Sequence, residues 1–230
     1  LHLQQEKDEK TGEVKSERMI FPRYHQLDVV TKLLADVKAN GSGKNYLIQH
    51  SAGSGKSNSI AWLAHQLVTL KNDSGKEIFD TVIVVTDRIN LDKQIKDTIK
   101  QFMQVSATVG WAKSAGELKQ LMNEGKKIII TIVHKFQFIL DDIGEVHKDK
   151  NFAILIDEAH SSQNGSLSAK MNMVLSGSVY DDEDDLEDKI NTIIEGRKMV
   201  KNASYFAFTA TPKNKTLEMF GKKERLPDGT

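Results

Sequence analysis

Cysteine is absent from all 230 residues, so the chain has no disulfide framework, no cysteine-ligated zinc and no thiol nucleophile. That usage is compatible with a reducing environment, and a cytoplasmic location is expected. Long apolar runs are missing as well. The longest, such as residues 128–133, fall far short of the roughly 18 residues of a membrane span and suit buried strands, so no membrane partner is expected. No signal-peptide pattern opens the chain, which begins at Leu1 and ends soon after a motif described below; the expectation is a piece of a longer protein. A surplus of basic charge is also lacking: 32 Lys and Arg stand against 32 Asp and Glu, where a nucleic-acid binder usually has a basic excess. The sum conceals an uneven distribution, because residues 181–188 hold seven acids in eight positions. Setting those seven aside leaves 32 basic residues against 25 acidic, a net of +7, so the zero does not argue against nucleic acid.

What is present suits a soluble globular protein, with 39% hydrophobic and 28% charged residues, enough to build a core. Residues 1–19 are polar with little periodic apolar content and read as a linker or mobile N-terminal arm. Leu27, Val30, Leu34 and Val37 then recur at helical spacing, and Asn40-Gly41 closes the segment. Short runs rich in Ile, Val and aromatics follow at 46–48, 79–86, 127–133, 152–156 and 205–209, with helical patterns between most of them. Ile60, Leu63, Ala64, Leu67 and Val68 line one face of such a helix, and Ser114-Ala-Gly-Glu117 before Leu118, Leu121 and Met122 is a capping-box pattern. Alternating strands and helices predict an α/β fold, a mostly parallel sheet wrapped by helices.

The strongest local signal is His50-Ser-Ala-Gly-Ser-Gly-Lys-Ser57, between a strand and a helix. Gly53 and Gly55 can take backbone angles that other residues avoid, letting the N–H groups of this turn, Ser54 included, point at phosphate oxygens. Lys56 would reach the β- and γ-phosphates and the Ser57 hydroxyl would bind Mg²⁺, which makes the segment a nucleotide-phosphate site. Its first position is His50, where the usual pattern has glycine. Gly-x-Gly-Lys-Ser/Thr arises by chance in roughly one chain in a hundred of this length, at average residue frequencies. Gly41-Ser-Gly-Lys44 looks alike but has no helix pattern after it, and reads as a solvated turn.

A second signal is an apolar strand, residues 152–156, running straight into Asp157-Glu-Ala-His160. Two carboxylates so placed avoid a costly burial only at the strand's C-terminal edge, where α/β sheets bind ligands. Taken alone, Asp-Glu after a strand is more often an acid pair at a helix N-terminus. With the glycine-rich turn about a hundred residues upstream, Asp157 becomes a Mg²⁺ ligand and Glu158 the group that orients and deprotonates a water. Zinc is not expected at His160, since no second His or Cys lies at ligand spacing.

These residues resemble superfamily 2 helicases and translocases. Gly53 to Ser57 is similar to motif I, Asp157-Glu-Ala-His160 to motif II and Thr209-Ala-Thr-Pro212 to motif III, in the expected order. The closer resemblance is to the restriction (R) subunit of type I restriction enzymes. It is carried by Arg23-Tyr-His-Gln26, by the segment from Thr86 to Gln94, by Asp157-Glu-Ala-His-Ser-Ser-Gln163, and by the stretch from Phe208 to Gly221. The resemblance implies a P-loop NTPase with a RecA-like three-layer αβα domain over residues 20–221, carrying an acidic insertion at about 178–190. Residues 222–230 would begin a linker to a second motor domain. It implies ATP and Mg²⁺ as cofactors and double-stranded DNA and the modification and specificity subunits as partners. Adenine contact by Gln26 is also implied, as is coupling of hydrolysis to movement by His160, Thr209 and Thr211, with Thr86 or Arg88 facing the DNA backbone. The implied activity is ATP-driven DNA translocation serving restriction, although this segment shows no nuclease constellation and no arginine finger. Two other readings stay open, another superfamily 2 DNA translocase or helicase and a nucleotide-binding regulatory module that does not hydrolyse. Glu158 discriminates against the second, because a pure switch needs no catalytic carboxylate. A GTPase is disfavoured, for Asn214-Lys-Thr-Leu217 lacks the Asp of a guanine motif.

Overall fold

β-Branched and aromatic residues crowd the apolar runs, and five of the runs read from sequence are strands of one sheet. The computed structural model describes residues 2–7, 14–51, 53–86, 109–112, 114–132, 135–136, 143, 147–157, 202–212 and 214–220. Among them the elements are β1 His2–Lys7, β2 Val14–Ile20, α1 Tyr24–Asn40, β3 Asn45–Gln49, α2 Lys56–Thr69, β4 Thr81–Thr86 and β5 Val109–Trp111. The remainder are α3 Ala115–Asn123, β6 Ile128–Ile132, β7 Phe152–Asp157, β8 Ala203–Thr209 and α4 Asn214–Phe220. The central sheet has six described strands in the order β3-β8-β7-β4-β6-β5, every pairing parallel.

Strand alternation divides the core into two layers. Ile48, Val82, Val84, Ile128, Ile130, Ala153, Leu155, Phe206 and Phe208 face α1 and α2, meeting Val30, Leu33 and Val37 of the first and Ile60, Leu63 and Leu67 of the second. Ile83, Val85, Ile129, Ile154, Ile156 and Tyr205 face the other way, onto Leu118 and Met122 of α3, with Phe220 of α4 against the same cluster. Both faces are covered, which is why β4, β7 and β8 are buried at every position and read as continuous apolar runs rather than alternating ones. The fold is therefore the expected α/β three-layer arrangement.

Local signals behave largely as read. Ser114 caps α3, its Oγ accepting the Glu117 N–H at 3.1 Å. Gly41 ends α1 with φ 74°, its N–H donating to the Val37 carbonyl. The turn at 41–44 leads into a strand and not a helix, and the Gly43 N–H donates to Ser204 Oγ at 2.8 Å. Three differences stand out. The stretch expected as an arm contains an antiparallel ribbon, β1 paired with β2 from His2↔Ile20 to Lys7↔Val14. β5 was not read at all. The buried face of α1 comprises Gln26, Val30, Leu33 and Val37, whereas Leu27 is 55% exposed.

Candidate nucleotide site

β3 delivers the chain to the C-terminal edge of the sheet, and α2 carries it away from residue 56 onward. Between them lies the glycine-rich turn. Gly53 has φ 73°, and Gly55 has φ 84° and ψ 38° and serves as the N-cap of α2. L-residues pay roughly 1–2 kcal/mol in that left-handed region, so glycine is required by conformation. At Gly55 a Cβ would also sit 2.5 Å from Gln26 Nε2, so a side chain there would displace the Gln26 amide from its bonds to the turn. Lys56 and Ser57 occupy the first turn of α2, where the orphan N–H groups and helix dipole favour an anion.

The sheet register aligns the second half of the site. Ile48, Phe208 and Asp157 form one row across β3, β8 and β7. Two strand spacings separate Asp157 from β3, about 10 Å. Alternation from Leu155, on the α1/α2 layer, puts the Asp157 side chain on that same side, and it is 4% exposed. The two distant segments therefore meet at one sheet edge, on one face. Thr209 ends β8 beside them, its Oγ1 accepting the Thr211 N–H at 3.3 Å; Thr209 is buried and Thr211 exposed.

His50 lies at the base of the turn. Its N–H donates to the Thr209 carbonyl at 2.8 Å, tying the turn to the end of β8. Its imidazole is 7% exposed and packs edge-on to Phe208 at 6.1 Å and to His25 at 5.3 Å. Burial, and after it the neighbouring His25 and Lys56, hold the imidazole below its ordinary pKa and so favour the neutral ring.

Gln26 is 3% exposed at the start of α1. Its side-chain oxygen accepts the Arg23 N–H at 2.8 Å, and its amide donates to the carbonyls of Ser54 at 3.2 Å and Gly55 at 3.0 Å. Its polar atoms thus turn toward the glycine-rich turn and the helix cap. His25 Nε2 also meets the Ser54 carbonyl, at 3.1 Å. A carbonyl only accepts, so that nitrogen carries the proton. No separate signal in the sequence marks His25; its one marker is its place beside Gln26.

Thr86 ends β4 next to β7 and is 1% exposed. That burial speaks against a phosphate contact by its side chain, contrary to expectation: the strand that carries it is enclosed on both faces. Glu158, His160, Arg88 and the acidic run at 181–188 lie outside the described residues. None of the helices among the described residues is long and apolar enough to cross a membrane.

The sequence profile of the SWI2/SNF2 ATPase family matches residues 25–223. The chain is 26% identical over 227 residues to the type I restriction enzyme SsaAORF53P endonuclease subunit of Staphylococcus saprophyticus, covering 90% of this chain and 21% of that protein. It is 28% identical over 229 residues to the type I restriction enzyme HindI endonuclease subunit of Haemophilus influenzae, covering 89% of this chain and 19% of that one. The chain thus spans about a fifth of the length of these relatives. Among solved structures, a hypothetical ATP-dependent RNA helicase from Sulfolobus tokodaii aligns with TM-score 0.52 at 15% identity, over 88% of this chain and 51% of that one, a likeness of fold.

Proposed function

Because this chain belongs to the SWI2/SNF2 ATPase family, we propose that it is the ATP-binding motor domain of a type I restriction enzyme R subunit, coupling hydrolysis to movement along duplex DNA and to restriction of foreign DNA. The observation that carries the reading is the convergence of the 53–57 turn and Asp157 at one edge and one face of the sheet. The fit to Mg²⁺·ATP is chemical as well as geometric. Glycines fill positions that would reject a side chain, a helix N-terminus and Lys56 supply positive potential, and the Ser57 hydroxyl and Asp157 carboxylate are the hard oxygen donors that Mg²⁺ takes. Among the described residues no group of three or more His, Cys, Asp or Glu could hold a metal ion. Held by Ser57 and Asp157, Mg²⁺ would complete its shell with phosphate oxygens and water.

Bound Mg²⁺ would neutralise charge developing on the transferring phosphoryl group. Lys56 would bind the β- and γ-phosphates. Glu158 would orient the attacking water and take its proton. Thr209, Thr211 and His160 would pass the state of the site to the DNA-bound surface. For Thr209 the support is the His50 N–H bond to its carbonyl, which joins the turn to the segment at 209–212. Arg88 would face the phosphodiester backbone, a contact that positions rather than reads sequence. The modification and specificity subunits would supply the recognition site.

The test is ATP hydrolysis by the intact protein, assembled with modification and specificity subunits, with and without long duplex DNA. DNA-stimulated turnover is expected in the wild type and its loss in Lys56→Ala. Unchanged turnover in that variant would refute the site, and turnover indifferent to DNA would refute the motor.

A further inference from the structure

The glycine-rich turn opens with His50 where the usual pattern has glycine, and nothing in the chemistry above uses its ring. The imidazole is 7% exposed, and its Nδ1 has no hydrogen-bond partner among the described residues. A buried ring nitrogen left unpaired costs stability that an apolar side chain of similar size would not. Nothing in the packing offsets it. The bond to the Thr209 carbonyl is made by the main-chain N–H, which any residue but proline supplies, and the contacts with Phe208 and His25 are ring contacts that phenylalanine would make as well. Only the nitrogen is left without a structural reason, and a breach of local rules of that kind is expected where a site works.

The ring also stands between the two halves of the site. It packs on the face of Ile48 and Phe208, which share one row with Asp157 across β3, β8 and β7. Phe208 thus lies between His50 and Asp157, and the next residue is Thr209, whose carbonyl the His50 N–H holds. Lys56, on the other flank, is near enough to favour the neutral ring. A neutral imidazole has one N–H and one lone pair to offer.

We propose that His50 is a positioning residue for phosphoryl transfer: its Nδ1 takes a hydrogen bond only in the activated state of the site, and through Phe208 and Thr209 the ring draws the 209–212 segment along with the 53–57 turn. The proposal rests on reading the 53–57 turn as the ATP site. A bond made only at that stage raises turnover without tightening the hold on nucleotide.

The experiment uses the intact protein assembled with modification and specificity subunits, as wild type, His50→Phe, His50→Asn and His50→Gly. Affinity for Mg²⁺·ADP is compared with affinity for Mg²⁺·ADP plus aluminium fluoride, a mimic of the phosphoryl group in transfer, and with DNA-stimulated kcat. Resistance of the intact chain to denaturant at pH 7.5 is measured alongside. His50→Phe keeps a ring and lacks both nitrogens, so it should resist denaturant at least as well as wild type. It should bind ADP within about twofold of wild type, while kcat and affinity for the mimic each fall about five- to tenfold, the worth of one hydrogen bond. His50→Asn loses the ring but stands an amide atom where Nδ1 is, so it should turn over faster than His50→Gly. That pair tests the same nitrogen if the phenylalanine variant does not fold.

Wild-type kcat and mimic affinity in His50→Phe would overturn the proposal in favour of packing, as would a kcat in His50→Asn no higher than in His50→Gly. Equal losses for ADP and the mimic would overturn it in favour of a plain contribution to binding. A His50→Phe less resistant to denaturant than wild type would overturn it by showing that Nδ1 is already paired. A wild type that binds neither ligand, or a Lys56→Ala variant that binds both as well as wild type, would bring down the ATP-site reading itself.

Discussion

Gly55→Ala is the perturbation that probes the site's construction most directly, because two independent costs meet there. The first is conformational. At φ 84° an alanine pays roughly 1–2 kcal/mol for the left-handed region. The second is displacement of Gln26: the new Cβ falls 2.5 Å from Nε2, the tip of a side chain that moves aside only by giving up its bonds to the Ser54 and Gly55 carbonyls, about 1–3 kcal/mol for the two. Gly53 supplies the internal control. Its φ is 73°, but nothing lies within 4 Å of a Cβ there, so Gly53→Ala should carry the conformational cost alone. In a chain of 230 residues each kcal/mol moves the melting temperature by about 2–4 °C. The two alanines should therefore differ measurably, Gly55→Ala being the lower. The decisive assay is a double-mutant cycle with Gln26→Ala, followed by thermal or denaturant unfolding. Once the amide is gone the steric cost of Gly55→Ala goes with it, and the coupling energy should be about 1–3 kcal/mol. Additivity within roughly 0.5 kcal/mol, or equal costs for the two glycine variants, would refute the claim that Gln26 presses against the turn.

Two further outcomes follow from the same structure. His50 is buried with its pKa held below the ordinary 6.5, so the unfolded chain takes up the proton first as pH falls. Its stabilising share is whole above about 6.5 and declines below it; in His50→Phe, which retains an aromatic ring against Phe208, the denaturant midpoint should fall less between pH 7.5 and 5.5 than in the wild type. An equal fall would remove His50 from the account. Asn202 donates its side-chain amide to the carbonyls of Ile143, His147 and Lys150 at 3.3, 3.0 and 2.8 Å, just ahead of β8. Asn202→Ala removes the donor these carbonyls share, although that of His147 keeps the Lys150 N–H, and should cost about 1–3 kcal/mol in equilibrium unfolding while ATP affinity is unchanged; a stability within error of wild type would show that water replaces the amide without loss.

How much of this could be read in advance depends on the range of the interaction concerned. The runs that became β4, β6, β7 and β8 were legible because a strand buried on both faces must be apolar throughout, a requirement visible in any short window; β3, at the sheet edge with Ile48 alone buried, showed through its run Tyr46-Leu47-Ile48. β5 was not, being three residues with glycine in the middle, too short to show a period. Nor was the ribbon of β1 and β2, whose sequences show no sustained apolar alternation. The face of α1 was misassigned for an instructive reason. Two sets of positions, 27/30/34/37 and 26/30/33/37, both satisfy helical spacing, and hydrophobicity selects the first. Tertiary packing selects the second, with Val30, Leu33 and Val37 in the core and the Gln26 amide on the carbonyls of Ser54 and Gly55.

The sequence by itself determined the alternation of strands and helices and the chemistry of the 53–57 turn and of Asp157, since backbone conformation, apolar periodicity and ligand type are local properties. Only the tertiary structure decided that these segments share one row and one face of the sheet, that Thr86 is enclosed, that His50 packs between α1 and β8, and that Gln26 points inward. Each of those depends on atoms brought together by sheet register from positions far apart in the chain, and no local pattern records which of two compatible faces a distant neighbour will claim.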